Sequence, residues 1–170
     1  MRSPLYMALP IAGLCLMAAC ELVGLGGADD DPLVGPTWRL VAFEDASGDR
    51  TAVDPEYERP RVDTSLPFYG LAFTETEAEE RIGDAEPRGA HRMEMRGYPN
   101  EGLFTYELED DDRLSIYFHG ATKINQLPGS RETEFFTALD AATSYRIKGK
   151  RLRITHDDGK ALIFEARRPR

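Results

Sequence analysis

The final third of the sequence constrains the fold most strongly, because it consists of short alternating runs of apolar and polar residues separated by turn-forming residues. Residues 145–147, 152–154 and 160–166 alternate in this way. The turns between them contain Gly149 and Gly159, and glycine readily adopts the positive φ that tight hairpin turns require. We therefore predict an antiparallel meander of three strands in this part of the chain.

A helix is predicted immediately before the meander, near residues 130–142. Ser130 is a suitable N-cap, and Glu132 and Glu134 stand near the helix start, where the helix dipole favours anions. Three apolar side chains recur at helical spacing: Phe135, Phe136 and Leu139. We expect these three to face the core.

Other strand candidates precede this helix, and they stand at 37–43, 71–75, 91–97, 103–109 and 113–119. Residues 44–67 are rich in Asp, Pro and Gly, which is typical of a loop. Strands and helices do not alternate as a parallel sheet requires, so the sheet should be antiparallel. We predict an α+β fold that is mostly β. Seven or eight strands form a strongly curved antiparallel sheet or small barrel, with the one helix packed against it.

The charge and the cysteine content exclude several classes of protein. The chain has 21 Lys and Arg against 30 Asp and Glu, a net charge of −9, whereas a nucleic-acid binder needs clustered cations. Both cysteines, Cys15 and Cys20, lie within the first twenty residues. The folded body therefore has no disulfide scaffold, no four-cysteine zinc site and no cysteine nucleophile.

The N-terminus has the features of a signal peptide. Arg2 is followed by an uncharged run over 5–19, which is too short to cross a bilayer as a helix. The sequence Leu16-Met17-Ala18-Ala19-Cys20 resembles the lipobox of bacterial lipoproteins. The resemblance implies cleavage after residue 19 and attachment of a diacylglyceryl group and palmitate-type acyl chains to Cys20. The alternative is an ordinary secretory signal with a chance cysteine.

The rest of the chain divides into three predicted segments. Residues 20–35 form a flexible linker rich in Gly and Asp, residues 36–166 form the folded domain, and residues 167–170 form a basic tail. A linker of this composition has a root-mean-square reach of roughly 20 Å. Glu21 differs from the Asp that marks inner-membrane retention, so we expect the outer membrane, with the domain facing the periplasm.

The domain resembles the META domain of HslJ-like heat-shock envelope lipoproteins. The matching residues are Thr37-Trp38-Arg39-Leu40, Gly97-Tyr98-Pro99-Asn100 with 102–106, 114–116 with Thr122, and a C-terminal part over 132–166. The resemblance implies a role in envelope stress and no established catalytic reaction. Tyr98-Pro99 stands where the family commonly has Cys, and 123–128 lacks the family's second Cys, so no disulfide or thiol role carries over.

The histidines and the acidic turns are the candidate metal ligands in this sequence. His91, His119 and His156 lie in or near different strands without the spacing of a metal motif, although zinc needs three or four ligands together. The acidic turns at 109–112 and 157–159 lack the alternating ligands of a calcium loop. We therefore predict no metal and no other cofactor.

No catalytic group is predicted either. Ser115 lies inside a strand without a nucleophile-elbow sequence, no pair of carboxylates is singled out, and no glycine-rich phosphate loop precedes a helix. The remaining feature is positive charge at Arg151, at Arg153 and in the tail. Arg151 and Arg153 are expected on a solvated strand face, and the tail is a candidate contact for lipopolysaccharide phosphates or the membrane surface.

These observations lead to two functional hypotheses. The first is a non-catalytic, lipid-anchored protein of the cell envelope that recognises another envelope protein or supports the envelope under stress. The second is a small barrel in the periplasm that binds an apolar ligand in its interior. An open apolar cavity of several hundred Å³ favours the second hypothesis, and an interior filled by side chains favours the first.

Overall fold

The computed structural model describes residues 33–53, 66–78, 88–109, 112–125 and 129–167. The predictions for 1–19, Cys20, residues 20–32 and 168–170 lie outside these residues. The described part of the chain contains nine strands and one helix. The strands are β1 Thr37–Glu44, β2 Arg50–Ala52, β3 Gly70–Glu77, β4 His91–Arg96, β5 Glu101–Glu109, β6 Arg113–Ala121, β7 Ala142–Lys148, β8 Arg151–His156 and β9 Ala161–Arg167, and the helix is α1 Glu132–Asp140.

The strands form a closed antiparallel barrel. Their order is β2-β1-β3-β4-β5-β6-β7-β8-β9, and β1 also pairs with β9 from Thr37↔Arg167 to Glu44↔Ala161. Eight strands therefore form the barrel, and β2 is an additional strand on the C-terminal half of β1. This architecture confirms the predicted fold of a mostly β chain with one helix. β2 lies inside the segment predicted as a loop.

A bulge in β1 keeps its apolar residues inside the barrel. Leu40 is opposite Phe164, but the next pair is Ala42 with Ile163, so Val41 is an extra residue. Because an extra residue reverses the alternation, Phe43 faces inward after the bulge as Leu40 does before it. The strand can therefore bend around the barrel without exposing its apolar face.

Inward-facing side chains fill the interior of the barrel. Trp38, Leu40, Leu71, Phe73, Met93, Met95, Phe104, Tyr106, Leu114, Ile116, Leu152, Ile154, Leu162 and Phe164 are each at most 3% exposed. Burying a large apolar side chain stabilises the fold by about 1.5–3 kcal/mol relative to leaving it exposed. These contacts are therefore the main source of the barrel's stability.

Helix α1 closes one end of the barrel, as its predicted packing requires. Phe135 is fully buried and packs edge-to-face on Tyr69, with 5.5 Å between ring centroids. The guanidinium of Arg131 lies 3.7 Å from the centroid of the Phe43 ring, near the end of β1. The helix contacts therefore cover the barrel end at which β1 ends and β3 begins.

The start of α1 differs from the prediction, because the N-cap residue is Arg131 and not Ser130. The Ser130 hydroxyl accepts a hydrogen bond from the Glu132 backbone N–H at 3.2 Å and donates one to the Tyr98 carbonyl at 2.6 Å. Ser130 therefore joins the helix start to the turn between β4 and β5. The predicted acidic first turn is confirmed at Glu132 and Glu134.

The C-terminal meander is confirmed, since β7, β8 and β9 are consecutive antiparallel neighbours. Gly149 and Gly159 have φ of 60° and 82° in the two turns, so the predicted left-handed positions are both occupied by glycine. Within the described residues, no helix is long and apolar enough to cross a membrane.

Candidate functional site

A buried polar cluster joins α1 to the turn between β4 and β5. Glu132 is only 1% exposed, and its Oε1 accepts a hydrogen bond from the backbone N–H of Asn100 at 2.6 Å. Its Oε2 accepts a second one from Asn100 Nδ2 at 2.7 Å. A carboxylate held in this way fixes the closing helix to the barrel end.

Asn100 also holds the segment that follows β6. Its Oδ1 accepts hydrogen bonds from the Ile124 backbone N–H at 2.7 Å and the Thr122 hydroxyl at 3.0 Å, and its Nδ2 donates to the Ile124 carbonyl at 3.0 Å. Gly97 supplies the space, because a Cβ there would lie 2.5 Å from Glu132 Oε1. The side chains of this cluster bond to one another, so we interpret the cluster as structural.

The three histidines stay apart, on β4, on β6 and at the end of β8. No group of three or more His, Cys, Asp or Glu side chains among the described residues is arranged to hold a metal ion. The His91 ring packs on the Tyr106 ring, with 5.5 Å between centroids. Burial lowers the pKa of His156, and Asp158, whose Oδ1 is 3.9 Å from Nδ1, partly offsets this effect.

Of the three histidines, His119 is the one whose contact resembles a nucleophile–base pair. Its Nε2 lies 2.8 Å from the hydroxyl oxygen of Thr105. That hydroxyl donates its hydrogen to the Arg88 carbonyl, so the histidine acts as a donor to the oxygen. Because Thr105 is fully buried, this contact is consistent with a structural role.

The acidic turns and Ser115 have ordinary structural surroundings. The Lys160 ammonium donates a hydrogen bond to Asp158 at 2.6 Å, and this bond lowers the pKa of the carboxyl within the β8–β9 turn. Asp112 has a positive φ of 64° in the turn before β6. Ser115 lies within β6, opposite Glu107 of β5.

An ion-pair network around the buried carboxylate of Glu44 links β1, β2 and β8 on the outside of the barrel. Glu44 is 7% exposed, and its Oε1 accepts a hydrogen bond from Arg153 Nη2 at 2.7 Å. Its Oε2 accepts one from Arg50 Nε, also at 2.7 Å. The hydrogen bond from Arg153, with a smaller contribution from Arg50, lowers the pKa of Glu44.

The outer surface of β7, β8, β9 and β1 carries a group of basic side chains, which makes it a candidate binding surface for an anionic partner. The inward direction of Leu152 and Ile154 places Arg151 and Arg153 outward, as predicted for a solvated face. Their cross-strand neighbours on β7 are also cations, since Lys148 is opposite Arg151 and Arg146 is opposite Arg153. We call the following set the basic face: Arg39, Arg146, Lys148, Lys150, Arg151, Arg153 and Arg167.

The described carboxylates on this surface are Glu44 and Glu165. Glu44 is bound to Arg153 as described above. Glu165 lies 3.6 Å from Arg39 and 3.7 Å from Arg151, measured between carboxylate oxygen and guanidinium nitrogen. The acidic chain therefore has a local surface on which cations outnumber anions.

Sequence reasoning identified only Arg151, Arg153 and the tail as positive. Arg39 stands 126 positions before Glu165, and only the pairing of β1 with β9 brings them together. The alternation in 145–147 contained a further signal, because Arg146 and Lys148 stand two residues apart and must share one face of a strand.

Comparison with known proteins supports the fold and no narrower conclusion. No protein-family model matches the chain, and no curated protein matches it. A protein from Burkholderia xenovorans solved by NMR is similar with a TM-score of 0.53 and 22% identity over 79% of this chain and 83% of the other. A DUF4847 family protein from Bacteroides vulgatus is similar with a TM-score of 0.50 and 13% identity over 82% of this chain and 97% of the other. At these identities, the similarity shows a shared small β-barrel fold.

Proposed function

We propose that this chain is a non-catalytic, lipid-anchored cell-envelope protein whose META-like barrel acts by surface recognition in envelope maintenance or stress. The observation that carries the proposal is the filled interior. Leu71, Phe104, Leu152 and Phe164 come from four different strands, and each is 0% exposed. A surface is therefore the part of the described barrel that remains available for recognition.

The rival hypothesis of an apolar-ligand barrel needs an internal cavity. Ligand sites are generally about 300–1,000 Å³ in volume, and side chains that line such a space keep accessible area. Most inward-facing residues of the described strands have almost none, and exceptions such as Tyr145 and Ile147 of β7 are partly buried and pack against the core. We therefore favour recognition by the outer surface, where charged residues are concentrated.

The anchoring part of the proposal rests on the sequence Leu16-Met17-Ala18-Ala19-Cys20. Small residues before the cysteine fit the lipoprotein signal peptidase, and two or more acyl chains give durable membrane attachment. The resemblance to the META domain supports an envelope location.

The test is to isolate the protein from membranes of its own host and to measure the mass of its N-terminal peptide. We expect a peptide that starts at an acylated Cys20, and a Cys20→Ser control that is absent from the membrane fraction. An unacylated Cys20 in the native protein would refute the anchor. A stoichiometric apolar molecule released from the purified protein on denaturation would instead support the ligand-binding barrel.

A further inference from the structure

We propose that the basic face docks the barrel onto the anionic phosphate head groups of the bilayer that carries its lipid anchor. The inference rests on the proposed function, because it assumes that Cys20 holds the chain at a membrane. It adds the orientation of the domain and the chemistry that the surface recognises.

The first argument is charge complementarity. Arg146 and Arg153 are direct cross-strand partners, as are Lys148 and Arg151. Like charges directly opposite each other destabilise a sheet. In the pair Arg146–Arg153, the Glu44 carboxylate offsets only the charge of Arg153. An anionic partner would relieve the repulsion that remains.

The second argument is that several of these cations are exposed and available. Within the described residues, Arg146, Lys148 and Lys150 are exposed and make no ion pair. Arg151 has 64% of its side chain exposed despite its contact with Glu165. Exposed cations of this kind suit a fluid layer of phosphate groups, which offers many equivalent partners.

The third argument is the position of the face relative to Leu33, the residue at which the described chain begins. Thr37 of β1 pairs with Arg167 of β9, and the indole of Trp38 donates a hydrogen bond to the carbonyl of the buried Leu33 at 3.0 Å. Lys150, in the β7–β8 turn, is at this end of the barrel because its carbonyl accepts a hydrogen bond from the Ala166 backbone N–H at 2.8 Å. The described chain thus begins at the same end of the barrel as Lys150 and Arg167, with Val34 bridged to Phe73 of β3.

The distance along the chain is short enough for docking. Leu33 follows Cys20 by thirteen residues, which span at most about 45 Å when fully extended. Because juxtamembrane cations act only within about one Debye length, roughly 8 Å at physiological salt, the face must be held close to the head groups to contribute. A tether of this length permits the face to reach the head groups, and the attraction of the cations for phosphate would then hold it there.

The four lysines of the chain provide an internal test. Lys148 and Lys150 belong to the basic face, whereas Lys123 follows β6 and Lys160 lies in the β8–β9 turn, near the end closed by α1. The lipidated full-length protein is reconstituted into vesicles of phosphatidylcholine, alone or mixed with phosphatidylglycerol, and treated with a membrane-impermeant amine reagent. Mass spectrometry then gives the labelling of each lysine.

We expect Lys148 and Lys150 to be labelled at least about fivefold less in the anionic vesicles, since one basic residue at such a surface changes the docked population by roughly that factor. Lys123 and Lys160 should be labelled equally in both vesicle types. The protection should disappear at about 1 M salt, where the Debye length falls to about 3 Å.

Two matched variants locate the effect. Arg146→Gln with Lys148→Gln should reduce the docked population roughly 25-fold and restore the labelling of Lys150. Lys123→Gln with Lys160→Gln removes the same charge and should leave Lys150 protected. Equal effects of the two variants would show that net charge alone acts, which overturns a specific docking face.

The outcomes separate this inference from the proposed function. Equal labelling of all four lysines in both vesicle types would overturn docking even when Cys20 carries its lipid. Protection that arises only in native membranes with their proteins would point to an acidic protein partner and overturn lipid docking. An unacylated Cys20 would refute the anchor, and the same vesicles added to that unacylated chain would still test the face.

Discussion

Replacing Glu132 by Ala tests whether the buried carboxylate holds the closing helix to the barrel. The change removes the acceptor of both the Asn100 backbone N–H and its Nδ2, at 2.6 and 2.7 Å. A buried donor left without a partner costs about 1–3 kcal/mol. Because Nδ2 keeps its bond to the Ile124 carbonyl, we expect a total loss of about 2–4 kcal/mol.

The assay is equilibrium unfolding in urea, followed by the fluorescence of Trp38, which is the only tryptophan and is 1% exposed. With a slope of about 2 kcal/mol per M, the middle of the usual range, the midpoint should fall by about 1–2 M. The matched control is Glu134→Ala on the same helix turn, where the lost ion pair with Arg131 is half exposed. Such pairs contribute about 0.2–1 kcal/mol.

A double variant separates the contact from helix propensity. If Glu132 acts through Asn100, the losses for Glu132→Ala and Asn100→Ala should fall short of additivity by more than about 1 kcal/mol. Equal midpoints for the Glu132→Ala and Glu134→Ala variants would refute the reasoning, because the burial and the two hydrogen bonds would then contribute nothing measurable.

Three further predictions concern pH and packing. Because Arg153 lowers the pKa of Glu44, the ionised carboxylate contributes stability above pH 4.5, and this stability is lost as the pH falls further. In the Glu44→Gln variant, the urea midpoint should therefore change less with pH below 4.5 than it does in the native protein. Because burial lowers the pKa of His156, the unfolded chain takes up a proton at a higher pH than the folded protein, and stability should decline below pH 6.5. Thermal melts of the His156→Gln variant should lack this decline. Gly97→Ala should lower the free energy of unfolding in urea by about 1–3 kcal/mol through overpacking, while Gly120→Ala, where a Cβ meets nothing within 4 Å, serves as the control.

The fold was predictable from the sequence because its signals are local. Period-two alternation, the acidic turn at 157–159 and the two glycines Gly149 and Gly159 define β7 to β9 without knowledge of their neighbours. β2 was not predicted, because it has no local signal of this kind. All three of its residues are exposed, so it has no apolar side to produce an alternating pattern, and its pairing with β1 alone makes it a strand.

The candidate site was less predictable, because it depends on contacts between distant parts of the chain. Glu132 was expected at a helix start, where acidic residues are common and usually solvated. Its burial depends on Asn100, 32 residues earlier, and on the absence of a side chain at Gly97. Likewise, Arg39 and Arg151 share a face only because β9 lies between β1 and β8.

The pairing of β1 with β9 has a consequence for how the protein is made. The first barrel strand cannot acquire its β9 partner until Ala161–Arg167 has been synthesised, so every shorter nascent chain has an unsatisfied sheet edge. Contacts between sequence-distant strands also form slowly. A chain truncated before β9 would retain most of the apolar residues and lack the strand that closes the barrel. It should therefore be a substrate for proteases and chaperones, whereas cuts within 54–65, part of the segment predicted as a loop from its sequence, should be tolerated far better.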